Sequence, residues 1–122
     1  MTAGLENYVE WKMGGDPLGT CLQGEIKCAY ADLVAVFGEP NARGDEHKID
    51  AEWVMTFTSF GFSREVATIY NYKTGRNYLG AEGRAVEDIA DWHVGGANGS
   101  SVVGKVCSML IAHLMRKRED RT

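Results

Sequence analysis

"DAEWVMTF", Asp50 to Phe57, decides the fold. Ala51, Trp53, Met55 and Phe57 fall on one side of an extended chain and Glu52, Val54 and Thr56 on the other. That period of two predicts a central antiparallel strand with one face turned to the core. Thr58 to Arg64 then make a turn, and "EVATIYNY", Glu65 to Tyr72, is rich in the β-branched and aromatic residues that pair back on such a strand as a hairpin.

Upstream, "LENYVEWKMGGDP" alternates Leu5, Asn7, Val9 and Trp11 against Glu6, Tyr8, Glu10 and Lys12, which predicts a half-buried strand closed by a Gly-Gly-Asp-Pro turn. "CLQGEIKCAY" reads as a second strand, weakened by its glycine. "YADLVAVFG" places Leu33, Val34 and Phe37 on one side, with Gly38 as a stop and Pro40 just beyond, the pattern of a short helix. "NARGDEHK" is a polar loop.

Downstream of the hairpin, a glycine-rich segment, Gly75 to Gly83, leads to "VEDIADWHVGG", where a helical turn and a short strand are equally defensible. The last segment runs from "GGANGSS" to "MRKRED". Val103, Val106, Cys107, Leu110, Ile111 and Leu114 recur at helical spacing, Ser100 or Ser101 can cap the start, and Lys and Arg gather where the helix dipole favours cations. The expected fold is α+β: one domain over residues 1–122, with a small antiparallel β-sheet, a short helix and a long C-terminal amphipathic α-helix.

Composition narrows the function classes. With 122 residues, 44% hydrophobic and 25% charged, the chain lies in the globular range, and a domain of that size buries roughly two thirds of its unfolded surface without a metal or disulfide. Cys21, Cys28 and Cys107 are widely spaced and no signal-like apolar segment accompanies them, so a reduced, cytoplasmic compartment is expected. The apolar stretch Val102 to Met115 is interrupted by Lys105 and His113 and falls short of the roughly eighteen residues of a membrane span. A net charge of -4 opposes duplex nucleic acid, which needs a basic surface, but not a small nucleotide, which needs one or two local cations and oriented amides.

Catalytic signals are weak. His47, His93 and His113 lie far apart, the cysteines lack a C-x-x-C arrangement, and no phosphate-loop, dinucleotide or nucleophile-elbow motif occurs. Glu87, Asp88 and Asp91 read as solvated charges. The expectation is a binding protein with no catalytic residue, metal or cofactor.

Two stretches carry binding chemistry. In "TIYNYKTGRNYLG", Tyr70, Tyr72 and Tyr78 offer rings, Asn71 and Asn77 offer amides for a base edge, and Lys73 and Arg76 offer charge for phosphate. The plain alternative is tyrosines packed on a sheet above a polar turn. In "HVGGANGSS", His93, Gly95, Gly96 and Asn98 precede a helix start, whose unpaired amides make an anion site; the plain alternative is a flexible connector. Together they supply a stacking element and an anion element. The apolar face of the last helix, continuing through Met109 and Met115, either packs on the sheet or forms an interface between copies.

"YADLVAVFGEPN", "DAEWVMTF", "VATIYNYKTGRNYLG" and "DWHVGG", in this order between Tyr30 and Gly96, resemble the first-described type of phage Thoeris anti-defence sponge. The resemblance implies an antiparallel sheet followed by a long helix, assembly as a homo-oligomer (a dimer or higher, up to a hexamer), and a place in the host bacterial cytoplasm. It also implies sequestration, without cleavage, of cyclic ADP-ribose-type signals made by TIR-domain immune proteins, and in some members of cyclic oligonucleotides. The competing expectation is a small phage inhibitor that binds a host defence protein or nuclease through acidic turns, Asp45 and Glu46 or Glu87, Asp88 and Asp91. The net charge makes that a modest mimic of nucleic acid.

Overall fold

The central hairpin forms as its period of two dictates. In the computed structural model, which describes residues 9–120, β3 (Glu52–Ser59) and β4 (Ser63–Tyr70) pair antiparallel from Glu52 opposite Tyr70 to Ser59 opposite Ser63. β1 (Val9–Met13) lies on the free side of β3, β5 (Asp91–Gly96) on the free side of β4, and β2 (Cys21–Lys27) beyond β5. All four pairings are antiparallel, in the order β1-β3-β4-β5-β2. The expected first strand is present from Val9 onward; Leu5 to Tyr8 lie outside the described residues.

Among the described residues three α-helices complete an α+β fold: α1 (Tyr30–Phe37), the four-residue α2 (Arg76–Leu79) and the long α3 (Val102–Asp120). α1 ends where Gly38 takes a positive φ of 83°, a backbone that favours glycine. Trp53, Met55, Phe57, Ile69, Trp92 and Val94 of one sheet face are buried against Leu33 and Phe37 of α1 and Val102, Val106 and Leu110 of α3. Trp53 and Trp92 meet edge to face at 5.4 Å. Their indole N–H groups donate to the carbonyls of Gly38 and Cys28, so neither ring buries an unpaired donor.

α3 is tied down at both ends. Near its C-terminus Lys117 donates to Asp32 of α1 at 2.8 Å and His113 Nε2 lies 3.0 Å from the same oxygen. The Lys117 hydrogen bond, helped by His113 and opposed by burial, holds the Asp32 carboxyl below its ordinary pKa. The exposed side of α3 carries Ile111 (56% exposed), Leu114 (40%) and Met115 (59%), so part of its apolar stripe does not reach the sheet.

The opposite sheet face is crossed by the connection from β1 to β2, which must travel between the two edges of the sheet. It starts over β3 and β4: Gly15 lies so close to Thr56 that a Cβ would stand 2.5 Å from the threonine hydroxyl, and that hydroxyl donates to the Gly14 carbonyl. Beyond this strap Glu52, Tyr70, His93 and Glu25 stand side by side on β3, β4, β5 and β2.

Several boundaries differ from the sequence reading. The β3–β4 turn is shorter than Thr58 to Arg64 because the strands run on to Ser59 and Ser63, leaving Phe60, Gly61 and Phe62. Phe60 and Gly61 both have positive φ (56° and 81°), as tight hairpin tips require. "VEDIADWHVGG" contains both alternatives, a 3-10 turn at Val86–Asp88 and then β5. Among the described residues, no helix is long and apolar enough to cross a membrane.

Candidate functional site

β4 ends at Tyr70, and the chain is bent back by Asn71, whose side chain is fully buried. Its carbonyl oxygen accepts from the amides of Asp50 (2.8 Å) and Ala51 (3.0 Å), and its amide nitrogen donates to Asp50 Oδ1 (3.0 Å) and Thr74 Oγ1 (3.4 Å). Asn77 donates from its side chain to the Ile49 carbonyl and from its backbone to Asp50 Oδ2. Arg76 Nε donates to the Gly83 carbonyl. Asn71 is therefore a tie between turn and loop, not a reader of a base edge, and Asn77 and Arg76 spend part of their donors on the fold as well.

What this scaffold turns outward is a row of rings around one cation. Lys73 has φ 62°, uncommon for a residue with a side chain, and its amide donates to the Lys48 carbonyl. The ammonium lies 5.2 Å from the Tyr72 ring centre and 5.3 Å from that of Tyr78, both within cation–π range. His47 meets Tyr78 edge on at 5.5 Å. On the other side Tyr72 stacks on His93 at 5.9 Å, and His93 meets Tyr70 at 5.5 Å. His93 Nε2 lies 3.1 Å from Glu25, which orients its ring. Burial, with the nearby Glu52 charge, pushes the Tyr70 phenol above its ordinary pKa, so it stays a neutral donor. Tyr72 and Tyr78 are each 39% exposed, enough to present ring surface to a flat guest.

Beside this row the loop before β3 borders an open cavity of about 500 Å³ whose lining includes Arg43, Gly44, His47, Glu52 and Asn77. Small-molecule sites commonly measure about 300–1,000 Å³. His47 belongs to both the cavity wall and the ring row, and Asn77 adjoins Tyr78, so cavity and rings form one continuous surface.

The second expected element is not part of it. Gly95 and Gly96 are the last residues of β5, not a loop before the helix. They are glycines for packing: a Cβ on Gly95 would stand 2.5 Å from Thr68 Oγ1, and one on Gly96 would stand 2.6 Å from Val102 Cγ2. The start of α3 already holds an anion. Glu65 accepts from the Ser101 amide (3.1 Å) and hydroxyl (2.6 Å) and from Lys105 Nζ (2.6 Å). Burial pushes the Glu65 carboxyl up, but these hydrogen bonds outweigh it and its pKa falls to about 2. Asn98 lies in the exposed turn after β5. Glu65 lies near the start of β4 and Tyr70 at its end, about 17 Å apart at 3.4 Å per residue. Within one chain, then, the helix start and the tyrosine turn do not meet.

Of the expected binding residues, the structure gathers Tyr70, Lys73, Tyr78 and His93, together with Tyr72. His47 and Glu52 were not singled out by sequence. His47 came from a loop whose return onto Tyr78 no local pattern encodes. Glu52 did leave a signal, a carboxylate on a strand central enough to bury both of its faces. Compared with protein families, curated proteins and solved structures, the chain matches none.

Proposed function

We propose that this chain is a phage anti-defence protein that sequesters a cyclic nucleotide immune signal, a cyclic ADP-ribose isomer or a cyclic oligonucleotide, without cleaving it, in the host cytoplasm. The observation that carries the reading is the Lys73 ammonium set between the Tyr72 and Tyr78 rings, in a row that His47 joins to the loop cavity. A planar base has rings to lie on, a phosphate has Lys73 and the exposed Arg43 within the same surface, and the ring-row histidines are engaged with Tyr70, Tyr72, Tyr78 and Glu25. Ring stacking on a base contributes about 1–3 kcal/mol, so two rings and a cation fall short of the roughly −12 kcal/mol that nanomolar capture requires. A second copy closing over the site supplies the remainder in this reading. The exposed Ile111, Leu114 and Met115 stripe of α3 lies across the sheet from the site, so it serves that assembly only head to tail, the stripe of one copy over the ring row of the next.

A second reading, docking on a host protein, draws on the β3–β4 tip, where Phe62 is 80% exposed and Phe60 54%. Native mass spectrometry of the protein purified from cells carrying an active TIR system separates the two. A co-purifying mass of a few hundred daltons, released unchanged, supports sequestration; an empty protein that captures a host protein through Phe60 and Phe62 overturns it.

A further inference from the structure

The floor of the loop cavity holds a carboxyl that the fold leaves without a cation. Glu52 is 9% exposed, lies on the outward face of β3, and lines the cavity with Gly44 directly above it. The approach is close: a Cβ on Gly44 would stand 2.6 Å from Glu52 Oε1, so a side chain there would displace the carboxyl. The Gly44 amide donates to the carboxyl. The backbone around Glu52 is equally fixed, because its carbonyl accepts from the amides of both Asn41 and Ala42.

The other charged groups of the wall are committed or remote from the floor. Asp50 is engaged by Asn71 and Asn77. Arg43 and Glu46 form an exposed pair at 3.9 Å. Among the described residues, no lysine, arginine or histidine lies within ion-pair distance of Glu52. Burial drives the carboxyl towards its neutral form, against the Gly44 hydrogen bond. In either protonation state the carboxyl presents an acceptor oxygen to the cavity. With the Gly44 amide on one oxygen, the remaining capacity is directed at whatever enters the cavity.

Resting on the nucleotide reading above, we infer that Glu52 is the specificity-determining residue of the site and reads the edge of an adenine base seated in the loop cavity. Adenine carries an N6 amino group, whose N–H can donate to that carboxyl oxygen. The base enters edge first between the loop and Asn77, with Tyr78 and His47 at the rim. Its sugar and phosphates then emerge towards Lys73. The placement makes the base, and not the phosphate, the more buried part of the ligand.

The test is a titration of ADP-ribose and of N6,N6-dimethyl-ADP-ribose, which lacks the donor, into wild type, Glu52→Gln and Glu52→Ala. Wild type is expected to prefer ADP-ribose by at least about tenfold, as one paired base edge implies. Glu52→Gln, whose amide keeps an acceptor oxygen, retains that preference to within about threefold, and Glu52→Ala loses it. Circular dichroism checks that each variant is folded, and Glu52→Gln, which keeps the Gly44 hydrogen bond, serves if the alanine variant is not. A preference that survives in Glu52→Ala, that disappears in Glu52→Gln, or that is absent from wild type while ADP-ribose still binds overturns the assignment to Glu52 and leaves nucleotide binding intact. If wild type binds no adenine nucleotide or cyclic dinucleotide, both readings fall.

Discussion

Replacing Glu65 by glutamine tests why the start of α3 is not a ligand site. In the folded chain this carboxylate takes the Ser101 amide, the Ser101 hydroxyl and the Lys105 ammonium, and its pKa falls from 4.5 to about 2. A drop of that size corresponds to about 3 kcal/mol of folding free energy. The side chains of Glu65 and Lys105 are 23% and 22% exposed, so solvent screening leaves most of it in place. The sign follows from the lowered pKa. The stabilisation is complete above about pH 4.5, where the unfolded chain is also ionised, and is lost as pH falls towards 2. Guanidinium unfolding at pH 7 is expected to place Glu65→Gln about 2–3 kcal/mol below wild type, since the amide retains part of the hydrogen bonding. At pH 2.5, still above the folded pKa, the difference is expected to shrink to under about 1 kcal/mol. A difference under about 0.5 kcal/mol at pH 7, or one that does not shrink in acid, refutes the claim that Glu65 neutralises the helix start.

Other perturbations have equally direct outcomes. Asn71→Ala strands the buried amides of Asp50 and Ala51 and is expected to cost about 3 kcal/mol in denaturant unfolding. Gly83→Ala drives a methyl group into the Gly75 carbonyl and the Arg76 amide, so it is expected to cost about 2 kcal/mol and to loosen Tyr78 from Lys73, read as faster amide exchange over α2. Asp32→Asn breaks the α1–α3 clasp at Lys117 and His113. Because the Asp32 pKa is lowered, its destabilisation is full at neutral pH and fades below the ordinary carboxylate range, measured by thermal melts across pH.

The sheet was legible because its chemistry is local. Trp53, Met55 and Phe57 alternate with Glu52, Val54 and Thr56 by the geometry of an extended chain, and Val106 and Leu110 repeat at helical spacing whatever their partners. The site was legible only in part. Lys73 and the tyrosines of "TIYNYKTGRNYLG" could be read as a stacking surface, but nothing in that string says that Asn71 turns inward to hold Asp50 and Ala51. That contact joins residues about twenty apart, and a short polar side chain fits a buried tie as well as a wet turn. The glycines of "HVGGANGSS" misled for a related reason. Glycine permits a free backbone and equally permits close packing, and contacts with Thr68 and Val102 decide between them. The anion expected at the helix start exists, supplied by Glu65 from the neighbouring strand.

The most direct test of the ring row and Lys73 as a nucleotide-holding surface is calorimetric titration with a panel of cyclic ADP-ribose isomers and cyclic di- and trinucleotides, followed by chromatography of the recovered ligand. At least one member is expected to bind with nanomolar affinity and to return unchanged, and the triple variant Tyr72→Ala, Lys73→Ala, Tyr78→Ala to weaken it about a hundredfold or more. A panel with no binder, a ligand recovered in pieces, or a triple variant that is folded and binds as tightly as wild type contradicts the account.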